Sequence, residues 1–184
     1  NRYHLSITCA KDGQLAKASQ NHDRHLLLLQ PERSNDAGFA MTGSFSCMML
    51  TALLVFDQTS SELDKETFVR TAARLGESVV ERESDLQALV DLDFHRIAYL
   101  GSGSLSGLTR EAQLKMLELT AGEIVTVYDS SMGFRHGPKS FIDHRTIVIG
   151  FVNNDPYVRQ YDLDVLEEVA SDAIAVKTLA IAQQ

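Results

Sequence analysis

The spacing of apolar residues along this chain predicts strands alternating with helices. Tyr3–Cys9 reads as a strand and Asp12–Ser19 as a short helix. His25–Leu29 is a nearly unbroken apolar run, the pattern of a parallel strand covered on both faces. A polar loop over Pro31–Asp36 follows, then a helix from Thr42 to Phe56 with Thr42 as its N-cap. That helix is apolar nearly all round, which predicts burial. Ser60 or Ser61 caps the next helix, which runs to Arg82, and a short one from Asp85 to Val90 follows a break near Ser84. A second series starts at Arg96, with strands at Arg96–Leu100, Val125–Asp129, Thr146–Val152 and Val176–Ile181. Helices at Thr109–Ala121 and Arg159–Ala170 lie between them, with a short one after Pro138.

Alternation of this kind requires crossover connections, and therefore parallel sheets. The expected class is α/β, as a three-layer α/β/α sandwich in two units. The first covers residues 1–59 and the second 96–184, joined by a charged helical connector over 60–95. Neither unit reads as whole. The chain opens inside a strand pattern without Met and stops just past another, as a piece of a longer protein would.

Composition narrows the picture. A hydrophobic content of 44% is enough for a real core and excludes disorder. A net charge of −8 argues against nucleic acid as a partner. The longest apolar run, Met48–Phe56, is far shorter than the roughly 20 residues of a membrane span, so no membrane partner is expected. Cys9 and Cys47 sit in apolar runs and read as buried free thiols of a reducing compartment. No Cys or His cluster has zinc spacing, and no metal or cofactor is called for. Asn1–His4 lead straight into a strand without a secretory pattern, so a soluble cytoplasmic protein is expected.

Four features could carry chemistry. Gly101-Ser102-Gly103-Ser104 follows a strand and precedes a helix, where free N–H groups can cradle a phosphate. It reads equally as a tight turn, and it matches neither a P-loop nor GxGxxG. Glu111, Lys115 and Glu118 share one helix face. They form either a solvated ion-pair ladder or, on a mostly apolar helix, an acid–base group. His136 lies in the loop Phe134-Arg135-His136-Gly137-Pro138 after a strand, as a surface residue or a functional one. Arg135 and Lys139 beside it either draw an anion or solvate the loop. Thr42-Gly43-Ser44 is either a plain helix start or a phosphate contact.

These residues carry a family resemblance. Ala40-Met41-Thr42, Tyr99–Gly103, Arg110-Glu111, Leu117–Gly122, Tyr128-Asp129-Ser130, Gly133–Ser140 and Asp155–Asp164 resemble the sugar isomerase (SIS) family of phosphosugar-binding domains. The branch they are most similar to is that of the tagatose-6-phosphate ketose/aldose isomerases, also described as galactosamine-6-phosphate deaminases. The resemblance covers essentially the whole chain. It implies that Glu118 moves a proton between C2 and C1 of a sugar phosphate, with Lys115 beside it, and that His136 assists ring opening in a neighbouring subunit's site. A homo-oligomer with shared active sites follows. Thr42, Ser44, Ser102, Gly103, Ser104, Glu111 and Arg135 are the implied substrate contacts. One departure is Gly43, where the branch usually has Ser. The family's earlier strand and Ser/Thr-rich phosphate loops have no counterpart in this sequence.

The leading expectation is a deaminase/isomerase that converts galactosamine 6-phosphate to tagatose 6-phosphate and ammonia. Simple aldose–ketose isomerisation would use the same residues. A non-catalytic sugar-phosphate sensor would need the phosphate loops but neither Glu118 nor His136.

Overall fold

The computed structural model describes residues 2–20 and 22–183. Every predicted strand forms, and all pairing is parallel. The chain divides into two compact units, Asn1–Asp85 and Leu86–Gln184, with the division inside the stretch read as a connector.

In the first unit, β1 (His4–Thr8) pairs with β2 (His25–Leu29), with His4 opposite His25. The short helix α1 (Gln14–Ser19) links them and buries Ala16 and Ser19. The His25 ring is held at its Nε2 by the hydroxyls of Ser6 at 2.8 Å and Ser19 at 3.1 Å, which ties both strands to α1. β2 is not covered on both faces: Leu26 and Leu29 are 59% and 47% exposed. Among the described residues this sheet has two strands, each with an unpaired edge, and α1 supplies limited cover.

Helix α2 (Thr42–Phe56) has the predicted limits, but none of its residues is buried. Met49, Leu53, Val55 and Phe56 are exposed, because this unit packs only part of the helix surface. Thr42 is not the cap either. Met41 holds that position without a side-chain hydrogen bond. Of the two cysteines, Cys9 is buried and Cys47 only half-buried, and both are free thiols. Helix α3 (Glu62–Glu81) starts in a full capping box, in which Ser61 and Asp64 each accept the other's backbone N–H. Helix α4 (Glu83–Val90) follows after a one-residue break.

The second unit is a three-layer sandwich. Its strands are β3 (Arg96–Gly101), β4 (Val125–Asp129), β5 (Thr146–Phe151) and β6 (Lys177–Ile181), in the order β4-β3-β5-β6. Alternate residues of the central strands face opposite layers. Ile97, Tyr99 and Ile147 pack with Ala112 and Met116 of helix α5 (Ser106–Leu119). Ala98, Leu100 and Val148 pack with Phe134 of α6 (Ser131–His136) and with Val165, Leu166 and Val169 of α7 (Pro156–Asp172). Residues 131–136, part of them read as loop, are therefore helical. Ser130 caps this helix by accepting from the Gly133 N–H. Asp155 caps α7 and Pro156 opens it, which starts that helix three residues before the predicted limit. Helix α5 likewise begins and ends earlier than predicted.

Candidate active site

Helices leave β3 and β5 on opposite faces, which makes the gap between their carboxyl ends the switch point of the sheet. Ligands of such sheets bind in that gap. Gly101–Ser104 closes it on one side, with Gly103 at φ +61°, a left-handed conformation that favours glycine. The gap, however, is filled from within. Asp162 of α7, 1% exposed, accepts hydrogen bonds from Ser102 Oγ at 2.6 Å, Ser131 Oγ at 2.5 Å and the Asn153 N–H at 3.0 Å. Asn153 Nδ2 also donates to the Ser102 carbonyl at 3.1 Å. One carboxylate thus links the segments that follow β3, β4 and β5.

The start of α2 is occupied in the same way. The Asp36 carboxylate accepts from the Gly43 N–H at 3.0 Å, the Ser44 N–H at 2.7 Å and Ser44 Oγ at 2.8 Å. A Cβ on residue 43 would stand 2.8 Å from Asp36 Oδ1, which explains a glycine here. At both expected phosphate contacts an internal aspartate holds the serine hydroxyl. Thr42, Gly103 and Ser104 remain exposed.

Glu111, Lys115 and Glu118 do share a face of α5, but not the one turned to the sheet. Thr109, Ala112 and Met116 face inward. At 100° per residue the charged three point about 130° away from that face, flanked by the exposed Leu108, Leu114 and Leu119. Lys115 Nζ donates to Glu118 Oε2 at 2.7 Å and stands 3.7 Å from Glu111 Oε1. The three side chains are between a fifth and a third exposed. The Glu118 hydrogen bond, helped by the charges of Glu118 and Glu111, raises the Lys115 pKa and keeps it an ammonium.

This triad is not beside the Gly/Ser loop. α5 begins where β3 ends and returns antiparallel to the strands, so Glu118 is about 18 Å along the helix axis from Ser106. Glu118 therefore stands at the amino edge of the sheet, just before β4. His136 follows the carboxyl end of β4, at the opposite edge. The His136 ring is exposed and has no polar partner among the described residues. Arg135 is spent on α7, at 2.6 Å from Asp164 and 2.7 Å from Glu168. Lys139 pairs with Glu168 and, at 2.6 Å, with Asp172.

Sequence reasoning missed Asp36 and Asp162. Asp162 left a signal: it occupies the inward stripe of α7 with Val165, Leu166 and Val169, and a carboxylate there requires partners. Asp36 is a loop residue and left none. Among the described residues no group of His, Cys, Asp and Glu has metal-site geometry, and no helix is long and apolar enough to cross a membrane.

No family model matches the chain. Named relatives do. The D-galactosamine-6-phosphate deaminase AgaS of Escherichia coli is 44% identical over 184 residues, 99% of this chain and 47% of the relative. That of Shewanella sp. is 38% identical over 183 residues, 46% of its own length. The chain thus spans about half the length of the curated relatives it matches. The crystal structure of tagatose-6-phosphate ketose/aldose isomerase from E. coli superposes on 99% of the chain and 49% of its own, with a TM-score of 0.90 at 43% identity. Glucosamine-6-phosphate deaminase from Thermotoga maritima, at 20% identity and a TM-score of 0.69, shares the fold. Along its whole length the chain is similar to proteins named D-galactosamine-6-phosphate deaminase and tagatose-6-phosphate ketose/aldose isomerase, each about twice as long.

Proposed function

We propose that this chain provides the proton-transfer residues of an amino-sugar-phosphate deaminase/isomerase acting on galactosamine 6-phosphate. The observation that carries the reading is the Lys115–Glu118 pair on the outward face of α5, in a chain 44% identical to a named deaminase. His136 assists opening of the pyranose. Glu118 takes the proton from C2 of the open-chain aldehyde, and a proton returns to C1, leaving an imine at C2. Water adds to that imine, and tagatose 6-phosphate and ammonia leave. Lys115, held as an ammonium, orients Glu118 and offsets negative charge developing on the sugar oxygen. Glu111, on the face of Glu118, contacts the substrate there, and exposed Gly103 and Ser104, on the carboxyl edge with His136, contact the one bound at another subunit's Glu118; exposed Thr42 is a separate candidate contact in the first unit.

The separation of Glu118 and His136 across the sheet supports a homo-oligomer in which one subunit's His136 serves another's Glu118. The exposed ring of His136, without a polar partner among the described residues, supports the same arrangement. We place the enzyme in the cytoplasm, where Cys9 and Cys47 stay reduced. The test is ammonia release from galactosamine 6-phosphate, with glucosamine 6-phosphate and a non-amino aldose 6-phosphate alongside. Ammonia from the galacto sugar upholds the reading. Turnover of the non-amino sugar alone identifies a plain isomerase, and binding without turnover identifies a sensor.

A further inference from the structure

Among the described residues His136 has no polar partner, yet both its flanks are fastened. On its N-terminal side Arg135 reaches Asp164 and Glu168. On its C-terminal side Lys139 reaches Glu168 and Asp172. The three acids follow one another at i, i+4 and i+8 on α7, so they form a single stripe. Glu168 is the one that takes a cation from each flank. Other supports flank the segment, among them Arg96 Nη1, which donates to the Phe141 carbonyl at 2.9 Å. Phe134 is fully buried in the core, and Ser131 hydrogen-bonds Asp162 where α6 begins.

Isolated surface ion pairs contribute little, because water screens them and long side chains lose entropy. This group differs in two respects. It is a five-membered network, and the Arg135, Lys139 and Glu168 side chains are each less than a third exposed. A general acid or base must also be held within a fraction of an ångström of its working position, and a short helix end offers no such restraint alone.

We propose that Glu168 is the positioning residue of His136, clamping Arg135 and Lys139 so that the intervening imidazole is presented in one orientation. What His136 then does rests on the function proposed above, but the clamp itself does not. The test is Glu168→Gln, which keeps the shape and removes the charge. In the chain itself, amide hydrogen exchange over residues 133–140 is expected to quicken severalfold, with the exchange of β3 and β5 unchanged. In deaminase assays kcat is expected to fall about tenfold with KM nearly constant, as loosened catalytic groups behave. Combined with His136→Ala, Glu168→Gln is expected to add no further loss, since it acts through that ring. Unchanged exchange, or a loss that adds in full to that of His136→Ala, would overturn the clamp. A wild-type protein that releases no ammonia would defeat the functional reading, and exchange alone would then decide the clamp. Lys139→Gln replaces Glu168→Gln if the latter lowers the melting temperature, because it leaves Arg135–Asp164 in place.

Discussion

Removing the carboxylate of Asp162 should cost the second unit a large part of its stability. In Asp162→Ala, Ser131 Oγ and the Asn153 N–H lose their acceptor, and Ser131 is only 2% exposed. A buried donor left unmatched costs about 1–3 kcal/mol, which Ser131 incurs in full and the N–H of half-buried Asn153 in part. Ser102 is half-buried and can turn to water, so it adds little. Loss of the buried charge also relieves its own desolvation and offsets part of the sum. The net expectation is about 2 kcal/mol. The assay is urea unfolding followed by tyrosine fluorescence. The chain has no tryptophan, and Tyr99, Tyr128, Tyr157 and Tyr161 all lie in the second unit. Asp162→Asn should lose less, because an amide oxygen can still accept from both hydroxyls. An Asp162→Ala protein within about 0.5 kcal/mol of wild type, the range of an ordinary surface change, would refute the hub.

Other consequences follow from packing, titration and subunit sharing. A Cβ at Gly150 would lie 2.6 Å and 2.8 Å from the two methyl carbons of buried Leu166. Gly150→Ala should therefore cost about 2 kcal/mol by overpacking, measurable in the same unfolding assay. Burial pushes the Tyr99 phenol up from 10.0 to about 12. The folded state keeps this proton while the unfolded chain loses it, so stability holds below pH 10 and declines as pH rises from there toward 12. Absorbance at 295 nm against pH, in the folded protein and in urea, checks this. If sites are shared, mixing inactive Glu118→Gln and His136→Ala subunits should restore part of the activity, whereas unmixed sites would leave the mixture dead.

The fold was legible in the sequence wherever burial is decided within the chain. The apolar runs at Arg96–Leu100 and Thr146–Val152 formed strands as read, and their two faces carry the two core layers of the second unit. Burial of α2 and β2 was not legible. An apolar helix predicts that something should cover it, and the first unit covers only part of α2 and β2. Helix 131–136 was read in part as loop because Gly133 and Gly137 weaken the pattern, while its Ser130 cap is a single residue. At the candidate site, i, i+4, i+7 spacing correctly put Glu111, Lys115 and Glu118 on one face. It could not say which edge of the sheet that face would reach. Direction along α5 follows from topology, and it separates Glu118 from the Gly/Ser loop. The serines of both candidate phosphate contacts were identified as donors, but their acceptors, Asp36 and Asp162, come from other segments, and pairings of that range follow only from the fold.

The most direct test of the account compares wild type with Glu118→Gln for both galactosamine 6-phosphate binding and ammonia release. The amide keeps the size of the side chain and a contact to Lys115 but cannot take a proton. The account predicts nearly unchanged binding and a loss of turnover of about 100-fold or more, the scale of a missing general base. Ammonia release at the wild-type rate by Glu118→Gln would contradict it.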